Sequence, residues 1–234
     1  LRAGERAGCV FAHETISVSK TIQNYCLNEY RRLTHYIPNG IKPACEQNSF
    51  LLDQWGLKPN KYIIMVSRLV KHKGAHYLLE AWQFARQNDP ALNDYKLVIV
   101  GGASFTDDYV KQLHEIARGD NSVIFTDWQT GNTLAELCAN AEMLVHPSEN
   151  EGLPITVLQA MSYARPVLVS DIPEHKEVIT DSKFWFSNAN IVSLAAKISS
   201  LLKNKEKLSL AGKANKETVE KNYNWKNITL KTLE

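Results

Sequence analysis

Residues 143–171 read MLVHPSENEGLPITVLQAMSYARPVLVSD, and their pattern sets the fold class. An apolar strand at 143–145 runs into a polar loop that carries Glu149, Glu151 and a Gly-Leu-Pro turn. A short amphipathic helix is predicted over 155–163, and a second apolar strand over 166–169. Strands that are apolar throughout are buried on both faces, which is the habit of parallel sheets flanked by helices. The arrangement places a carboxylate and a helix N-terminus at the carboxyl end of a buried strand, where open α/β sheets bind ligands.

The same alternation extends outward in both directions. Further strands are predicted over 15–18, 34–37, 62–66, 96–100, 123–125 and 184–186. Between them, Ala75, Leu78, Leu79, Trp82 and Ala85 recur on one helical stripe, as do Leu134, Leu137, Cys138 and Ala141. Thr133-Leu134-Ala135-Glu136 has the form of a capping box, and Asp171 that of an N-cap. Two charged helices are predicted over 191–202 and 206–221. Strand–helix alternation of this kind predicts a Rossmann-like, doubly wound parallel sheet. Turn residues Pro38-Asn39-Gly40 and an irregular stretch over 42–60 place a domain boundary near residue 40. The segment before it, a strand–helix–strand, is too small for its own core.

Composition narrows the function classes. The 234 residues are 44% hydrophobic and 22% charged, the balance of a globular protein. The net charge of +2 comes without a run of one sign, which argues against a nucleic-acid partner. Four cysteines lack any CxxC or zinc-ligand spacing and read as reduced thiols of a cytoplasmic protein. No apolar run reaches the length of a membrane span. The first residue is Leu1, so the chain reads as a fragment of a longer one.

Four clusters carry candidate chemistry. Ser67-Arg68-Leu69-Val70-Lys71-His72-Lys73-Gly74 follows a buried strand and opens a helix. Cations beside a helix N-terminus form an anion site, because free N–H groups and the helix dipole add to the side-chain charge. Arg68 offers a two-pronged phosphate grip and Lys73 a mobile point charge; a solvated basic turn is the competing reading. Glu151 and Gln159 stand eight residues apart with the helix start between them, and Glu151 could accept hydrogen bonds from a sugar. Gly101-Gly102 allows close backbone approach, to a ligand or in a simple turn. Ser170–Glu177 is polar and opens a short helix. His146 and His175 are read as structural, as lone histidines usually are.

These pieces occur in the order and spacing of a known family. Tyr36-Ile37-Pro38-Asn39-Gly40-Ile41, Ser67-Arg68-Leu69 with Lys73-Gly74, Leu97 to Gly102, Pro147 to Pro154 with Leu158-Gln159-Ala160-Met161, and Pro166 to Pro173 carry the likeness. The chain resembles the C-terminal half of the retaining glycosyltransferases of family 4, built on the two-domain GT-B fold. The resemblance implies a nucleotide-diphosphate-sugar donor, UDP- or GDP-linked, with no metal or other cofactor. It implies that Arg68 and Lys73 hold the diphosphate and that Glu151 contacts the donor sugar. Gly101, Gly102 and Trp128 would lie near the nucleobase, and Gly152, Leu153, Ile155 and Thr156 would form the helix N-terminus facing the diphosphate. Gln159 stands where the family usually has a glutamate for the ribose, a departure that removes a charge but keeps hydrogen-bonding capacity.

By the same resemblance, residues 1–40 are a remnant of an N-terminal acceptor domain, 41–222 the donor domain, and 223–234 a segment crossing back. The implied acceptor is a glycan or lipid-linked sugar in surface-polysaccharide synthesis at the cytoplasmic face of a membrane. A chain lacking most of the acceptor domain is expected to transfer sugar weakly or not at all and to self-associate through the exposed interface. Two other readings stand beside this one: a non-catalytic nucleotide-sugar-binding or regulatory module, and a GT-B-like sugar-nucleotide epimerase or hydrolase using the same phosphate site.

Overall fold

A computed structural model describes residues 2–45 and 47–233, with the side chains of residues 2 and 231 excepted. Its frame is a six-stranded parallel sheet. The strands are β3 (Tyr62–Val66), β4 (Lys96–Val100), β5 (Val123–Phe125), β6 (Met143–His146), β7 (Val167–Ser170) and β8 (Trp185–Phe186), in the spatial order β5-β4-β3-β6-β7-β8. The apolar runs form these strands for the reason expected. Every residue of β3, β6 and β7 is buried, so no polar face interrupts them.

The strand order explains the two helix layers. Chain progress is leftward through β3, β4 and β5, then jumps back and runs rightward through β6, β7 and β8. Right-handed crossovers in opposite directions put their helices on opposite faces of the sheet. Accordingly α3 (Ala75–Asn88) packs with α4 (Asp107–Ile116) and α8 (Ile191–Leu202), while α6 (Ile155–Ser162) packs with α5 (Gly131–Ala139) and α9 (Lys205–Asn222). The predicted stripe Ala75, Leu78, Leu79, Trp82 and Ala85 is fully or nearly fully buried in this packing. The direction changes between β3 and β6, and the crevice above their carboxyl ends is the topological switch point.

Two glycines let the loops above the sheet close on each other. Gly101 follows β4 with φ 144°, and a β-carbon there would run into the Ser67 carbonyl of the loop after β3. Gly74 has φ 76°, and a β-carbon there would meet the Pro147 carbonyl of the loop after β6. The three loops are therefore in backbone contact, a spacing that any side chain would prevent.

The N-terminal part is built differently. Helix α1 (Arg2–Phe11), which the sequence pattern did not predict, precedes a two-stranded parallel pair, β1 (Ile16–Ser17) and β2 (His35–Tyr36), linked by α2 (Lys20–Tyr30). Both strands are shorter than expected. The pair is joined to the main body through α7 (Pro173–Val178): the Glu177 carboxylate accepts from the Lys20 and Thr21 backbone N–H groups at 2.9 and 2.6 Å, and from the Thr21 hydroxyl at 2.5 Å. At the other end α10 (Trp225–Leu233) follows Tyr223, whose carbonyl accepts from Ile41 N–H at 2.6 Å.

Two local expectations are corrected. Thr133 lies inside α5, which starts at Gly131, so Thr133–Glu136 is not a capping box; Glu136 instead accepts from Leu51 N–H at 2.9 Å. That contact orders a 3-10 helix at Phe50–Trp55 within the stretch read as irregular. Asp171 is not the N-cap of α7 either, because Pro173 and the extended Ile172 begin that helix and Asp171 accepts from Asn188 N–H. In both cases a tertiary partner outcompetes the local one. No described helix is long and apolar enough to cross a membrane.

Candidate active site

The crevice at the switch point is a cavity of about 490 Å³. Arg68 and Lys73 enter it from the loop after β3, Gly101 from just past β4, Trp128 from the loop after β5, His146 from the end of β6, Glu151 and Leu153 from the loop that follows, and Ile155 and Thr156 from the start of α6. Eight of the eleven residues singled out from the sequence thus share one cavity wall: Arg68, Lys73, Glu151, Gly101, Trp128, Leu153, Ile155 and Thr156. Gly102, Gly152 and Gln159 are not part of that wall. Gly102 serves the scaffold, its carbonyl accepting from Leu69 N–H at 2.9 Å. Gly152 lies against the side chains of Val18 and Ile22. Gln159 is half-buried one turn further along α6.

The basic loop is more elaborate than a helix start. Lys71–Lys73 form a 3-10 turn, and α3 begins only at Ala75 after the left-handed Gly74. The His72 carbonyl at this turn accepts from Glu149 N–H at 2.8 Å and from the Ser148 hydroxyl at 3.2 Å. The Ser148 carbonyl in turn accepts from the Ser170 hydroxyl at 2.5 Å. The basic turn, the acidic loop and the end of β7 are thereby fixed to one another. Arg68 is exposed at the mouth and has no hydrogen bond or ion pair from its side chain among the described residues, so its guanidinium is available to a ligand. Ile155 and Thr156 open α6, where the first N–H groups have no carbonyl within the helix to pair with.

Glu151 is the centre of the charged groups. Its Oε1 accepts from Lys73 Nζ at 2.5 Å and from His146 Nε2 at 2.8 Å. The carboxylate is only 8% exposed. Burial pushes its pKa up, but the His146 and Lys73 bonds and charges outweigh that and hold it well below the usual carboxylate range. Glu151 is therefore an anion at any physiological pH. Behind it, the buried His175 donates from Nδ1 to the Ser170 carbonyl at 3.0 Å, and its ring stands 5.3 Å from that of His146. Burial, then the neighbouring His146, pushes the His175 pKa down to about 3, so the ring is neutral. Atoms of His146, Glu151 and His175 lie close enough together to share a metal ion, but the Lys73 ammonium already serves as the cation on the same carboxylate.

The structure brings in one residue that the sequence reading set aside. His146 ends β6 inside the cavity wall and touches Glu151 directly. Its position as the last residue of a buried strand, five before the key glutamate, was the available signal. Gln129, Thr130, Gly131 and Leu134 also line the cavity; of these the sequence pattern marked only Leu134, and only as part of a helical stripe.

Comparison with known proteins places this crevice in a family. Residues 50–218 match the family described as glycosyl transferases group 1. The chain belongs to that family. An uncharacterised glycosyltransferase of Methanocaldococcus jannaschii is 31% identical over 94% of this chain and 58% of its own length. Alpha-maltose-1-phosphate synthase of Mycobacterium tuberculosis is 30% identical over 76% of this chain and 48% of its own length. The chain thus spans about half the length of these curated relatives. Among solved structures, Anabaena HepE in complex with UDP and glucose superposes with a TM-score of 0.89 at 23% identity, over 99% of this chain and 65% of that one. A likeness at that identity establishes the fold: the described domain is the Rossmann-like half of a GT-B architecture.

Proposed function

We propose that this chain binds a nucleotide-diphosphate sugar and is the donor half of a retaining, metal-independent glycosyltransferase of family 4 type. The observation that carries the reading is the convergence of Arg68, Lys73, Glu151 and the α6 N-terminus in one cavity at the switch point. Breaking a sugar–phosphate bond leaves negative charge on the diphosphate and positive character on the anomeric carbon. Arg68, the Lys73 ammonium and the N–H groups of Ile155 and Thr156 are placed to stabilise the first. Pro154 has no N–H, so it gives nothing to this set. Glu151, held ionised, is placed to fix a donor sugar through its hydroxyls. Trp128, 63% exposed at the cavity edge, offers a face for the base.

The solved neighbours with UDP and with UDP-glucose make uridine the base to test first. In the same reading residues 1–40 and 223–234 belong to an acceptor side, residues 41–222 are the donor domain, and the acceptor is a glycan or lipid-linked sugar presented at the cytoplasmic face of a membrane. The position of Gln159 outside the cavity wall favours a second reading, a nucleotide-sugar-binding module without turnover.

Calorimetric titration with UDP, GDP and their sugar conjugates tests the proposal. One nucleotide should bind, and Arg68→Ala should weaken it about tenfold or more, the scale of a lost charge-assisted phosphate contact. Failure of every nucleotide to bind would sink the donor-site reading. Binding with no sugar transfer to any acceptor, in a chain completed by its acceptor domain, would favour the module.

A further inference from the structure

We infer that His146 is the positioning residue for Glu151, holding the carboxylate in register when the Lys73 ammonium turns to the donor diphosphate. This rests on the donor-site reading above. In the described structure Lys73 and His146 share one oxygen, Oε1 of Glu151. The two donors differ in freedom. Lys73 carries a flexible four-carbon stem on a 3-10 turn, and its ammonium has three protons to distribute. His146 is the last residue of a central strand, its side chain 2% exposed, its ring packed edge-on against that of His175 at 73°.

A diphosphate in the cavity competes with Glu151 for Lys73. Once Lys73 turns, a carboxylate without another donor would be a buried anion beside two phosphate charges, and it would move or take up a proton. His146 Nε2–H prevents both outcomes by staying on Oε1. Oε2 makes no hydrogen bond among the described residues and so remains for a sugar hydroxyl.

The bonding of the His146 ring supports this role over a packing one. Among the described residues, neither His146 Nδ1 nor His175 Nε2, both buried, has a hydrogen-bond partner. Among the described residues the His146 side chain makes a single hydrogen bond, the one to Glu151. An aliphatic side chain would suit the buried end of β6 better on packing grounds alone.

The test compares nucleotide with nucleotide sugar. Wild-type chain, His146→Leu and His146→Gln are titrated calorimetrically with UDP, GDP, UDP-glucose, UDP-N-acetylglucosamine and GDP-mannose. The extra affinity that the best sugar conjugate shows over its bare nucleotide is the readout. His146→Leu should weaken the bare nucleotide, because Glu151 loses its second donor, and should in addition lose about tenfold of the sugar-dependent gain, the scale of one hydrogen bond to a charged group. His146→Gln, whose amide N–H reaches the position of Nε2, should recover part of it. Should His146→Leu not fold, His146→Asn replaces it, because its shorter amide stops short of Oε1. A sugar-dependent gain that survives loss of the imidazole overturns the inference alone. So does equal weakening of both ligands by Leu and Gln, which is the mark of a packing role. No binding of any nucleotide by the wild-type chain overturns the donor-site reading, and this inference with it.

Discussion

The six-stranded sheet and the two-stranded pair obey the same hydrogen-bonding rules but are stabilised in opposite ways. In the large sheet Ile63, Met65, Leu97, Leu144 and Leu168 are all completely buried, and helices cover both faces. Around β1 and β2, by contrast, Ile16, Leu33 and Phe11 are 52, 77 and 81% exposed. The pair is held by polar contacts: the Ser17–Thr34 hydroxyl bond of 2.7 Å, the Arg32 guanidinium on the Ala12 and His13 carbonyls, and the three bonds to Glu177. Non-directional burial stabilises the first region, and a few directional bonds locate the second. The functional crevice belongs to the first, which gives its charged groups a rigid base.

The largest test of that contrast is a pair of substitutions in the loops over the sheet and in its interior. Gly101→Ala should cost roughly 2–5 kcal/mol in urea unfolding, because the new methyl meets the Ser67 carbonyl and the φ of 144° disfavours any side chain. Leu144→Ala should cost a similar amount through the cavity it leaves, roughly 2–5 kcal/mol. Leu33→Ala, in the second region, should change the unfolding free energy by less than about 0.5 kcal/mol. Equal effects at Leu144 and Leu33 would erase the distinction.

Glu177→Ala sharpens it from the polar side. Three bonds to the start of α2 are lost, at a cost of roughly 1–3 kcal/mol. Limited proteolysis should then cut within residues 12–40 sooner, while the unfolding midpoint of the large sheet stays close to that of the unchanged chain. Simultaneous loss of both regions would mean that they unfold as one unit.

A smaller effect comes from pH. The His175 pKa is about 3 in the folded chain against an ordinary 6.5, so below pH 6.5 the unfolded chain binds the extra proton. Its contribution to stability is fully present above 6.5 and is lost as the pH falls toward 3, by about 1.4 kcal/mol per unit at most. Between pH 6.5 and 5, where the contribution of Glu151 is fully present and constant, His175→Asn should flatten this slope while keeping a donor to the Ser170 carbonyl. An unchanged slope would show that His175 is not buried neutral.

Much of the sheet was readable because its strands are buried on both faces. Residues 62–66, 97–100 and 143–145 carry uninterrupted apolar runs, and no alternative period competes with them. The strand pair near the N-terminus was readable only as a location, since two-residue strands leave almost no periodic signal. Helix α1 was missed for another reason: Ala3, Ala7, Val10 and Phe11 keep helical spacing, but Gly4 and Gly8 between them lower the helix propensity of the segment. Of the site, Arg68, Lys73 and Glu151 were legible as charged residues bordering buried strands. His146 was not, because a histidine at a strand end says nothing by itself about what its Nε2 meets.

The sequence by itself determined the alternation of strand and helix, and hence the class of fold, because hydrophobic periodicity is a local property of the chain. It also placed the charged loops after the first and fourth strands of the large sheet. The tertiary structure alone decided that those loops meet. Their contact requires the reversal of strand order between β3 and β6 and the backbone approaches at Gly74 and Gly101. Lys73 and Glu151 are 78 residues apart in sequence and 2.5 Å apart in the crevice, with His146 on the same oxygen. Pairings over such separations depend on the packing of the whole sheet, which no short window of sequence contains.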